Sequence, residues 1–157
     1  KKANGIDTNP VEPYTERKSI SKERTFEQDT IDIYQIKAIS TGMVERLGYQ
    51  LRQENWLTSC VVVKIRYNNF DTETKQHKIY YTSNDQVLID TVKQLFDKLY
   101  TRRMRIRLVG ISFTGLVRGN YQINLFEDTS EQIRLYQALD KIKNRFGENA
   151  IKRSISL

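Results

Sequence analysis

A chain of 157 residues can bury one proper core and still carry an appendage. Its 26 Lys+Arg against 19 Asp+Glu give a formal charge of +7 and a pI near 9.5, which favours an anionic partner, nucleic acid before an acidic membrane surface. A single cysteine, Cys60, excludes an intramolecular disulfide and a Cys-based zinc site, and neither a membrane-length apolar run nor a signal-peptide core is present.

The start, Lys1-Lys2-Ala3, has no Met and reads as the beginning of an excised fragment. Residues 1 to 15 mix Gly5, Pro10, Pro13, Asn4 and Asn9 without apolar periodicity, which predicts a linker or extended arm. Arg17 to Phe26 reads as extended, with Ile20 and Phe26 apolar among Ser, Lys and Thr. Asp29 or Thr30 offers an N-cap for a helix running to about Gln53, with Ile36, Ile39, Met43, Leu47 and Leu51 at helical spacing. Leu57 to Tyr67 is the clearest strand: Val61, Val63, Ile65 and Tyr67 take one face, Val62, Lys64 and Arg66 the other. Cys60 lies in this strand as a small core residue.

Asn68-Asn69 and Asp71 to Lys75 read as a polar turn region, and Gln76 to Thr82 as a second strand. The lone histidine, His77, falls there among Lys and Gln and reads as a surface residue. Ser83 with Gln86 forms a capping box for a helix through Tyr100, striped by Leu88, Val92, Leu95 and Leu99. Arg105 to Phe113 is the last strand of the unit, followed by a short loop from Gly115 to Asn120. A third helix is expected from about Ser130, with Ile133, Tyr136, Leu139, Ile142 and Phe146 on its apolar side and Gly147 as its stop. The ending after Ala150 reads as extended or frayed.

The order strand, helix, strand, strand, helix, strand is the split βαβ arrangement. The expected class is α+β: a four-stranded antiparallel or mixed sheet, two helices on one face, and a C-terminal helix. The other face is left open. Lys64 and Arg66 point there, Arg105 and Arg107 alternate with Ile106 and Leu108 on the last strand, and Arg17, Lys18, Lys22 and Arg24 decorate the first. Arg102 and Arg103 lie just ahead of the last strand. Such a plate suits phosphates on both walls of a duplex groove, with Ser19, Ser21 and Thr25 adding neutral hydrogen bonds. A solvated basic face is the plainer reading of the same charges. No helix has a base-reading pattern and no RNP-type aromatic signature is present, so binding is expected to ignore sequence and to weaken steeply with salt.

Arg17 to Phe26 resembles the segment that opens the little-finger domain of Y-family DNA polymerases, in particular the bacterial polymerase IV type. Asn4-Gly5-Ile6-Asp7 resembles the end of the thumb and the tether that follows it. Val63 to Tyr67, then Phe70 and the Thr-rich turn, resemble the second strand and its hairpin, and Arg107 to Phe113 the last strand. The likeness spans residues 4 to 126. It implies a bacterial, cytoplasmic protein whose little finger rests in the major groove of template-primer DNA and touches both backbones. It places the Mg2+-binding carboxylates and nucleotide transfer in a palm domain whose segments are not in this chain. No catalytic residue, metal ligand or cofactor is therefore expected here.

The resemblance extends to Gln122-Ile123-Asn124-Leu125-Phe126, which looks like the peptide that holds the bacterial sliding clamp. Leu125 and Phe126 would be apolar anchors, Ile123 an added apolar contact, and the Gln122 amide would set the register. A short strand end tucked under the domain is the competing reading. In many family members the peptide is the extreme C-terminus, whereas here Asp128 to Leu157 follows it. The expected organisation is a tether (1–15), a little finger (16–115), the clamp peptide (116–127) and a tail (128–157), in a chain expected to be monomeric. Its partners would be duplex DNA, the clamp and the remaining polymerase domains. Two other classes remain in view. One is a stand-alone nucleic-acid module of ferredoxin-like shape, stacking single strands on Tyr67, Tyr80 or Tyr81. The other is an enzyme using Asp85 with Asp90, or Asp71 with Glu73, although helix capping and turn chemistry explain both pairs better.

Overall fold

The structure, a computed structural model, describes residues 2–5, 16–119 and 130–154. The proposed clamp peptide Gln122, Ile123, Leu125 and Phe126 lies outside the described residues, as does most of the tether. The elements are β1 (Ser19–Thr30), α1 (Ile33–Gln53), β2 (Trp56–Tyr67), β3 (Thr72–Thr82), α2 (Asp85–Leu99), β4 (Ile106–Arg118) and α3 (Ser130–Phe146). The sheet order is β1-β4-β2-β3, and every neighbouring pair is antiparallel. The split βαβ arrangement is therefore present in its purely antiparallel form. β4 lies between the strands that α1 connects, and β2 between those that α2 connects.

The periodic stripes become the core. Ile36, Val44, Leu47 and Leu51 of α1 and Leu88, Val92, Leu95 and Phe96 of α2 pack on Val61, Val63, Ile65, Val109, Ile111 and Phe113 of the sheet. Each such side chain contributes about 1.5–3 kcal/mol when fully buried.

Several boundaries differ from the expectation, each for a local reason. β1 continues through Asp29 and Thr30, so α1 is capped by Asp32, whose Oδ1 accepts from the Gln35 N–H at 3.1 Å. Residues Thr72 to Lys75 are strand rather than turn, because the edge strand β3 pairs with β2 from Arg66–Thr72 onward. α2 is capped by Asn84, whose Oδ1 accepts from the Gln86 N–H at 2.9 Å, while the Ser83 carbonyl accepts from Arg52. β4 runs past Gly115, since Leu116, Val117 and Arg118 still pair with Thr58, Leu57 and Trp56.

α3 packs against the end of α1 and the start of α2, and the contact is more polar than its stripe predicts. Tyr136 and Asp140 are buried, whereas Ile142 and Phe146 are exposed. The Arg52 guanidinium donates to Asp140 at 2.7 and 3.0 Å and to Asp85 at 2.6 Å, and its carbon sits 4.9 Å from the Tyr136 ring centroid. Burial works against the charge on Arg52, but the Asp140 hydrogen bonds and the field of Asp85 outweigh it and push its pKa above the ordinary guanidinium value. Tyr136 also accepts from the Gln86 N–H and bonds Asn84.

Candidate nucleic-acid interface

Strand register defines the helix-free face as four rows running from β1 through β4 and β2 to β3. They are Ser19–Thr114–Cys60–Lys78, Ser21–Ser112–Val62–Gln76, Glu23–Gly110–Lys64–Thr74, and Thr25–Leu108–Arg66–Thr72. Hydroxyls and the Gln76 amide fill half of these positions, and the cations in the rows are Lys64, Arg66 and Lys78.

The expected plate of cations is thus rearranged. Lys22 pairs with Ile111 and Arg24 with Val109, both core residues, so these two side chains lie on the helix-covered side of the edge strand. An exposed edge tolerates cations on either face, which is why composition did not reveal the swap. Arg17 precedes β1 and donates to both oxygens of Glu54 at 2.8 and 2.6 Å. The Gln50 amide first, then Arg17, hold the Glu54 carboxyl below the usual range against the opposing effect of burial. Lys18 is exposed at the same end of β1.

Lys64 and Arg66 stand where alternation put them. Lys64 bonds Glu23 at 2.7 Å across Gly110, and Arg66 donates to the Thr72 hydroxyl at 2.9 Å. A Cβ at Gly110 would come 2.9 Å from Glu23 Cγ, so glycine leaves room for this cross-strand pair. Arg105 is exposed just before β4, and its carbonyl accepts from the Asn68 N–H. Arg107 sits where the register slips between Arg66 and Tyr67, so it falls outside the simple alternation expected with Arg105.

Arg102 bonds Asp71 and Glu73, each at 2.9 Å. The Asn69 amide and then Arg102 lower the Asp71 pKa. The end of the sheet at the β2–β3 turn therefore gathers Arg102, Arg105 and Arg107 beside the row that contains Arg66.

Lys78, Gln76, Thr74 and Ser112 were missed as members of the face. The turn assignment for Asp71 to Lys75 hides Thr74, whereas Gln76, Lys78 and Ser112 lie in expected strands and follow from the parity of Val62 once the register is known. The carboxylate pairs considered for catalysis have local partners: Asp85 with Arg52, Asp90 with the Gln86 amide, Asp71 and Glu73 with Arg102. Tyr67 is fully buried on the helix side and offers no stacking surface. Among the described residues no cluster of three or more His, Cys, Asp or Glu could hold a metal ion, and no helix is long and apolar enough to cross a membrane.

A split βαβ sheet with one helix-free polar face is consistent with the little-finger fold. It is shared with the little finger in a solved complex of the beta-clamp processivity factor and the little finger domain of PolIV, at 24% identity and a TM-score of 0.53, covering 68% of this chain and 97% of that one. A Y-family polymerase chimera, Dbh-Dpo4(243-245)-Dbh, matches with a TM-score of 0.54 at 18% identity, covering 74% of this chain and 33% of that one. The family model for the impB/mucB/samB family C-terminal domain matches residues 17–125. The chain belongs to that family, as a little-finger domain of the Y-family DNA polymerase IV type. DNA polymerase IV of Clostridium acetobutylicum is 34% identical over 161 residues, 99% of this chain and 40% of that protein. DNA polymerase IV of Clostridium kluyveri is 30% identical over 163 residues, 96% of this chain and 41% of that protein. The chain thus spans about two-fifths of the length of these relatives.

Proposed function

We propose that this chain grips template-primer duplex DNA through its phosphates and tethers a translesion polymerase to the sliding clamp. The observation that carries the reading is the helix-free sheet face, where Lys64, Arg66 and Lys78 stand among Ser and Thr hydroxyls. Hydroxyls and cations together suit phosphate oxygens and carry no base code. The Arg105 and Arg107 end extends the same surface. Ser19 and Ser21 belong to it directly, whereas Arg17, Lys18, Lys22 and Arg24 could reach a backbone only from the rim. Nucleotide transfer, with its Mg2+, is assigned to parts of the polymerase outside this chain, which would be further partners.

The clamp half of the proposal rests on the match of Gln122 to Phe126 to the clamp peptide. It is supported by the solved clamp complex of a domain with this fold. Two measurements test the pair of claims. Competition between duplex and single-stranded DNA should favour the duplex; preference for the single strand would favour the ferredoxin-like module instead. The Leu125→Ala, Phe126→Ala double variant should lose the clamp complex, and unchanged clamp binding would reject the peptide assignment.

A further inference from the structure

Phe70 combines three properties that do not normally coincide. It is a bulky residue at φ 69°, in the left-handed region that such side chains rarely adopt. The residue remains 64% exposed, so the costly backbone is not offset by burial. The ring lies 4.9 Å from the guanidinium carbon of Arg107, the residue at the β4 register slip.

The surrounding turn holds this arrangement in place. The Phe70 N–H donates to the Tyr67 carbonyl at 3.0 Å, and the Tyr67 N–H to the Asp71 carbonyl at 2.9 Å. Asn69 receives the Asp71 N–H on its Oδ1, and Arg102 bonds the Asp71 carboxylate. Asp29 approaches Arg107 at 3.7 Å from β1. Arg107 therefore has a ring at one flank and a carboxylate as counter-charge.

We infer that Phe70 is a positioning residue, which pre-orders the Arg107 guanidinium to receive a DNA phosphate. This rests on the DNA-gripping reading above. An arginine stacked on an aromatic face gives up less freedom when it meets a phosphate, and the guanidinium edge keeps its donors available. Phe70 itself need touch no nucleotide.

The test uses the full chain and a fluorescent primer-template duplex, titrated at several salt concentrations. Variants are Arg107→Ala, Phe70→Leu, Phe70→Tyr and the Phe70→Leu, Arg107→Ala pair, with thermal melting of each. Arg107→Ala should weaken binding about fivefold and lower the salt slope by about one. Phe70→Leu, apolar but without a π face, should weaken it about threefold, and Phe70→Tyr should restore it. In the Arg107→Ala background, Phe70→Leu should add nothing. Unchanged binding in Phe70→Leu, with Arg107→Ala still impaired, would overturn the positioning role and leave DNA gripping intact. Equal Phe70→Leu losses with and without Arg107 would also overturn it, because the ring would then act on its own. Unchanged binding in Arg107→Ala would remove Arg107 from the interface and the inference with it.

Discussion

Arg52 is the residue on which the polar contacts between α1, α2 and α3 converge. Its side chain is 4% exposed and lies between Asp85 and Asp140. Replacing it with Ala leaves two buried carboxylates without the guanidinium that pairs them, and Arg52→Ala should cost about 3–5 kcal/mol in a denaturant titration. A Cβ at Gly48 would meet Asp85 Oδ1 at 2.0 Å, so Gly48→Ala should displace the same carboxylate and lower the melting temperature. At the β2–β3 turn, Asp71 has a depressed folded-state pKa. A group of that kind stabilises the fold above its unfolded pKa and loses the contribution as pH falls through its folded value. The turn should therefore be tightest at neutral pH and loosen below the ordinary carboxylate range of about 4. An NMR titration of the Phe70 amide should report this in the wild type, and Asp71→Asn should abolish that transition.

At the scale of elements, α3 tests whether polar contacts suffice to dock a helix. Its buried side is Tyr136 and Asp140, with Asn84–Gln132 and Tyr49–Asn144 hydrogen bonds around them. Asp140→Ala should speed amide exchange in α3 while the sheet stays protected, because among the described residues the buried apolar cluster is built from α1, α2 and the strands. Equal exchange in wild type and variant would show that apolar contacts hold the helix. The same contrast explains what could be read in advance. α1, α2 and β2 were legible because burial imposes a strict period on Leu47 and Leu51, on Leu88 and Val92, and on Val61, Val63 and Ile65. The start of β3 was not, because both faces of a polar edge strand can be hydrophilic. The sides taken by Lys22 and Arg24 were hidden for the same reason, and Arg107 because an irregular register resets the parity that alternation relies on. The Arg52–Asp85–Asp140 contact joins residues 33 and 88 positions apart, and no local period encodes such a contact.

The molecule as a whole has two unlike sides. One side is a helix-backed apolar core. The other is a hydroxyl-rich face with cations, and a net charge of +7 gives long-range attraction to a polyanion. This face is the one proposed to meet DNA phosphates. The most direct test measures duplex affinity between about 50 and 200 mM salt for the wild type and for Lys64→Ala, Arg66→Ala, where each lost phosphate contact removes about 0.9 from the log–log slope. Steep linear salt dependence is expected in the wild type. In the double variant the slope should be lower by about two, with unchanged melting. A slope identical in both proteins would contradict this role of the face and place the DNA, if bound at all, on another surface.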